Sequence, residues 1–178
     1  RMNKLLSAKD RFVDWVNTPV HYRPYQLGYY KLPVLALLLD IVLTIVTILL
    51  YLETEVDVES YDVGLEILSL SFIPWLYFYA GIEEFIFRIL PLTWAMRELS
   101  RTNIVIAALV SAVAFGFVHG GLANIPLQGL GGFVYAIIFI KYAHGERYME
   151  AGFVVITIHV MFNVLIALLS LSEGVTTF

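Results

Sequence analysis

The stretch "PVLALLLDIVLTIVTILLYL" at 33–52 holds one charge in twenty residues. A helix needs roughly 20 apolar residues to cross the hydrocarbon of a bilayer. In lipid every backbone amide must be satisfied within its own segment, so a spanning run of this kind is a helix. Further apolar runs follow at 65–80, 82–99, 104–119, 127–143 and 152–172. The first two form either two short spans meeting near Gly81, or one long helix broken by Pro74 or Pro91. Taken as two, they give about six spans, and the fold class is an all-α, polytopic transmembrane helix bundle. Composition agrees. The chain is 60% hydrophobic and 15% charged, whereas a soluble domain is about half apolar and about a quarter charged.

Residues 1–31 differ in character. Lys4, Lys9, Arg11, Arg23 and Lys31 alternate with Trp15, Tyr22, Tyr25, Tyr29 and Tyr30. Such a mixture suits the headgroup layer, and it predicts an interfacial, helical N-terminal arm. The organisation expected is therefore an arm over 1–31 and a single transmembrane domain over 32–178. Basic residues precede the first span, whereas Glu53, Glu55, Asp57, Glu59 and Asp62 follow it. This asymmetry puts the N-terminus in the cytoplasm. A net charge of −4 without basic clusters argues against a nucleic-acid partner. The absence of cysteine removes thiol nucleophiles and thiolate metal sites. "GLGG" at 129–132 predicts a thin, closely packed helix.

Ionisable groups at membrane depth are costly and usually line a cavity or pair with each other. Apart from Asp40 and groups near the run edges such as Glu66, those in the apolar runs are Glu83, Glu84, Arg88, His119 and His159, together with the amide of Asn163. Glu84 and Arg88 are four residues apart and share a helix face, so they can form an ion pair. Glu83 is turned by about 100° from Glu84 and points elsewhere. His159 and Asn163 share a face, and so do Phe115 and His119. A carboxylate and a histidine beside one water form a general-base pair. A second histidine and an amide supply donors for an oxyanion. Asp40 has no evident partner, and Asn124 is left without a role.

In "EEFIFR", "FGFVH" and "HVMFN" the chain carries EExxxR, FxxxH and HxxxN in that order. This series resembles the CAAX protease and bacteriocin-processing (CPBP, or Abi) family, which includes the type II CAAX prenyl endopeptidases. The resemblance covers roughly residues 65–170. It implies an intramembrane glutamate protease that needs no metal or other cofactor. In it Glu83 activates water with His119, and His159 with Asn163 stabilises the oxyanion. Glu84 and Arg88 orient the site, and Phe115 belongs to the second motif. It also implies a site open to the cytosolic side. The substrate would be a membrane-bound peptide or protein, either a prenylated CAAX tail or a leader-type peptide. Ile89 stands where many members have glycine.

Three other readings compete. A non-catalytic scaffold or chaperone of the same family would keep the fold without needing all four site groups. A small transporter could use buried Glu and His as a proton relay, but would have no special use for Asn163. Two glutamates and two histidines could bind zinc or iron. Against that stand the missing HExxH pattern and the arginine beside the acids.

Overall fold

The computed structural model describes residues 7–21, 26–52 and 72–174, and it is a helical bundle with no strand among them. The elements are α1 (Ala8–Val16), α2 (Leu27–Leu52), α3 (Ile73–Glu84), a π-helical turn (Phe85–Ile89), α4 (Leu90–Glu98), α5 (Arg101–Val118), a short 3₁₀ turn (Gly121–Asn124), a second π-helical turn (Ile125–Gly129), α6 (Leu130–Ala143) and α7 (Tyr148–Gly174). Among the described residues three helices are by themselves long and apolar enough to cross a membrane, over Leu27–Val46, Arg101–Val118 and Tyr148–Leu168.

The runs expected as two spans at 65–80 and 82–99 are one rod where described. Residues 73–98 stay helical throughout, with the π turn in the middle; 65–71 lie outside the described residues. Among the described residues the long rods are α2, α3–α4, α5, α6 with its preceding π turn, and α7. Helix α2 begins at Leu27, with Pro33 inside it.

Prolines shape two of these rods in the same way. A proline within a helix removes one backbone donor and frees the carbonyl four residues earlier. Pro91 frees the carbonyl of Phe87, and the Ser111 hydroxyl, from α5, donates to it. The Leu90 amide reaches back five residues to Phe85 O, which defines the π turn. Pro33 likewise frees Tyr29 O, and the Tyr142 hydroxyl, from α6, donates to it. A buried carbonyl left alone would cost about 1–3 kcal/mol, so each hydroxyl both satisfies a defect and joins two helices.

One end of the bundle is tied by polar contacts. Ser7 caps α1 in a reciprocal capping box with Asp10. At the other end of α1, Lys141 Nζ donates to Trp15 O at 2.7 Å and to Thr18 O, just past the helix, at 3.0 Å. Asn17 Nδ2 donates to Arg101 O at 3.3 Å. The Tyr29 hydroxyl donates to Glu150, and Arg97 lies over the ring of Tyr148 at 5.1 Å. These contacts gather α1, the start of α2, the end of α4, the start of α5, the end of α6 and the start of α7 at one end.

Small residues set the interior spacing. Ala36, Ala108, Ala112, Ala136, Ala143 and Ala151 are buried, and such residues let helices approach closely where lipid offers no hydrophobic drive. Trp75, Phe78 and Tyr79 of α3 and Trp94 of α4 face outward.

Candidate functional site

The rod 73–98 presents its two glutamates to different neighbours. Glu84 is fully buried and points into the bundle, where its Oε1 accepts from Arg88 Nη1 at 2.8 Å. The same oxygen accepts from His159 Nδ1, also at 2.8 Å. Glu83 is about one-third exposed, and its Oε2 lies 3.7 Å from His119 Nε2 and 3.6 Å from His159 Nε2. The two acids do diverge as the helical angle requires, yet His159 lies between them and touches both environments.

The tautomers follow from the outer partners. His119 Nδ1 lies 2.8 Å from Phe115 O, which can only accept, so Nδ1 carries the proton. His159 Nδ1 faces the Glu84 carboxylate and is protonated for the same reason. Rings so fixed turn their Nε2 atoms toward Glu83. Separations of 3.6–3.7 Å exceed a direct hydrogen bond and suit one bridging water.

Phe115 is the ring around which the charges are stacked. The Arg88 guanidinium lies over it, with Cζ 3.8 Å from its centroid, and the His119 ring is 4.2 Å away. Phe87 meets it edge-on at 5.4 Å. Arg88 is fully buried, and α6 can approach it because residue 132 is glycine. A Cβ there would fall 2.5 Å from Arg88 Nη2 and 3.1 Å from the Phe115 ring.

Asn163 lies one turn beyond His159 on α7 and is half-buried. Among the described residues its amide makes no hydrogen bond with Glu83, His119 or His159. Asn124, whose role the sequence leaves open, donates to His119 O and closes the turn after α5. His144, in the turn after α6, is half-buried.

Two contributors escape the motifs. Asp40 is buried and accepts from the Tyr135 hydroxyl at 2.6 Å. The Tyr135 ring lies 5.9 Å from that of His159 and 5.9 Å from Arg88 Cζ. Asp40 packs over Gly131, where a side chain would collide with its carboxylate. A signal was present: a lone acid in a span requires a partner, and Tyr135 is one of few hydroxyls in the run 127–143. Among the described residues no three His, Asp or Glu side chains are arranged to hold a metal ion.

Fold and site together define a helical membrane protein in which acids, imidazoles and a buried arginine from three helices converge within the bundle. A family model described as type II CAAX prenyl endopeptidase Rce1-like matches residues 66–165. The chain belongs to this Rce1-like family, and with it to a CAAX-type intramembrane protease kind of function. No curated protein and no solved structure matches it.

Proposed function

We propose that the chain is an intramembrane endopeptidase that hydrolyses a peptide bond near the C-terminus of a membrane-anchored substrate. The observation that carries this reading is the convergence of both imidazole Nε2 atoms on Glu83 Oε2 at 3.6–3.7 Å. A water held there has a carboxylate to take its proton and an imidazole to orient it. Its oxygen attacks the scissile carbonyl carbon while its proton passes to Glu83. The tetrahedral oxyanion forms opposite His159 and Asn163. For His159 to donate from Nε2 while Nδ1 stays on Glu84, the ring must carry both protons. Collapse breaks the C–N bond, and the proton held by Glu83 goes to the leaving amine. Glu84 positions His159, Arg88 neutralises Glu84, and Phe115 holds Arg88 and His119 in place. No step uses a metal or other cofactor.

The test is cleavage by purified protein of membrane-anchored peptides, prenylated and leader-type, with wild type, Glu83→Gln and His119→Ala, each with and without a strong chelator. Cleavage that persists with chelator and is lost in both variants supports the reading. Loss with chelator alone moves the chemistry to a metal. Retention in Glu83→Gln removes the proposed base.

A further inference from the structure

One turn of α6 carries three contacts that lead to the site. Gly131 and Gly132 lie four and three residues before Tyr135, so the three share a helix face. Gly131 leaves room for the Asp40 carboxylate, and Gly132 leaves room for Arg88 Nη2. Tyr135 lies beside His159, with ring centroids 5.9 Å apart and planes tilted by 45°, within the range of an attractive aromatic pair. Its hydroxyl donates to Asp40 Oδ2 at 2.6 Å. Asp40 stands on α2, outside the residues 66–165 that the family model matches.

A carboxylate in that place calls for a reason. Tyrosine hydroxyls of α6 join it to α2 twice. Tyr142 donates to the backbone carbonyl of Tyr29, whereas Tyr135 donates to an acid. A neutral acceptor suffices to join two helices, and an ionisable group within a spanning helix is costly. Asp40 and Tyr135 are both buried, and the nearest charges acting on Asp40 are those of His159, Arg88 and Glu84. The hydrogen bonding of that unit is incomplete. Among the described residues Glu84 Oε2, Arg88 Nε and Arg88 Nη2 are buried without a hydrogen-bond partner. His159 is anchored through Nδ1 to Glu84, and one hydrogen bond fixes an atom but not the plane of a ring. Two rings bound that plane, Phe115 at 6.2 Å and Tyr135 at 5.9 Å. Phe115 is held by Arg88 and Phe87; Tyr135 is held by Asp40.

We propose that Asp40 and Tyr135 are positioning residues for His159: the Asp40 carboxylate holds the Tyr135 hydroxyl, and the ring so held fixes the imidazole plane and keeps Nε2 aimed at Glu83. Helix α2 is thereby a working part of the site as well as a span. A hydrogen bond to a carboxylate is about twice as strong as one between neutral groups, which gives the acid its use here. Neither residue touches the reacting atoms. The effect on turnover rests on the proposed hydrolysis; the placement of the His159 ring does not.

The chain has four histidines, His21, His119, His144 and His159, so ring-nitrogen resonances of the isotope-labelled full chain in detergent can be assigned by single substitutions. Wild type is compared with Tyr135→Phe, Asp40→Asn and Tyr142→Phe. Tyr142→Phe is the control. It removes a buried hydroxyl joining the same two helices, seven residues and about 10 Å further along α6. Tyr135→Phe should displace the His159 resonances and leave those of His21 and His144 in place. Asp40→Asn, whose amide oxygen still accepts from Tyr135, should displace them less. Tyr142→Phe should lower the unfolding midpoint without moving them. In the cleavage assay Tyr135→Phe should lower kcat by about 10–100-fold with KM little changed, and Tyr142→Phe should alter neither while folded. Unmoved His159 resonances in Tyr135→Phe, or equal movement in Tyr142→Phe, overturn the proposal. Displacement in Asp40→Asn as large as in Tyr135→Phe also overturns it, because the effect would then lie in the charge. Moved resonances with unchanged kcat overturn the role in turnover. If wild type cleaves nothing, the hydrolytic reading fails by itself, and the resonances still decide whether the pair places the ring.

Discussion

His159 on α7 donates through Nδ1 to Oε1 of Glu84 at 2.8 Å, and that oxygen is shared with Arg88. The first motif glutamate faces solvent and the second faces a histidine seventy-five residues away. The Glu84–Arg88 pair is therefore a mount for an imidazole as well as a local ion pair.

Glu84→Gln should destabilise the protein, because it leaves Arg88 buried without its counter-charge. Breaking a buried pair from one side costs about 3–5 kcal/mol. Thermal unfolding in detergent should show a large fall in midpoint. A shift no larger than that of an exposed substitution such as Met149→Ala would contradict the burial argument.

Glu83→Gln should behave oppositely. The side chain is partly exposed and makes no direct hydrogen bond, so unfolding should change little. Hydrolysis should fall by a factor of about 10²–10⁴, the usual contribution of a positioned base. Parallel turnover and melting measurements separate the two glutamates.

Ser111→Ala should cost about 1–3 kcal/mol by stranding the carbonyl that Pro91 frees. Adding Pro91→Ala restores a backbone donor for that carbonyl. The double variant should therefore recover part of the loss. Strict additivity in the double-mutant cycle would show that the hydroxyl and the proline are unrelated.

Gly132→Ala should be destabilising although alanine favours helix. Its methyl would meet Arg88 Nη2 and the Phe115 ring, and overpacking of this kind costs about 1–3 kcal/mol. Gly145→Ala makes a useful contrast. Nothing crowds that position, and its φ of +74° should make backbone strain its only penalty.

His144, in the turn between α6 and α7, has its pKa lowered, first by burial and then by the positive charges of Lys141 and Arg101. The unfolded chain therefore takes up this proton at higher pH than the folded one. Stability should be unaffected by this group well above the ordinary histidine range. It should fall as pH drops through that range toward the lower folded value. His144→Gln should flatten this part of the stability–pH curve, which unfolding midpoints between about pH 8 and 5 would reveal.

The periodic features of this chain were readable from its residues. Spans over 33–52, 104–119 and 152–172 follow from length and apolarity, and all three occur as helices. The Glu84–Arg88 pair follows from i,i+4 spacing, and the divergence of Glu83 follows from the helical angle. The close packing of "GLGG" appears as Gly131 beneath Asp40 and Gly132 beneath Arg88. What spacing could not give was contact between helices. His159 reaching back to Glu84, Asp40 meeting Tyr135 and Ser111 serving Phe87 each join residues twenty-four or more positions apart. The fusion of 73–98 was hidden because Pro74 and Pro91 read as breaks. Pro74 starts the helix, where no donor is needed, and Pro91 is absorbed by the π turn.

That π turn has a consequence for anyone altering the rod. It holds one residue more than an α turn, so the two halves of 73–98 run out of phase. Helix α3 packs on α7, whereas α4 packs on α5. A single helical wheel drawn through the whole rod would assign the wrong face to one half. Deleting one residue from 85–89 would regularise the hydrogen bonding and bring both halves onto one helical wheel while leaving their outer faces nearly in place. Such a deletion would give a smoother rod in which the turn's own residues, Arg88 among them, lose their places.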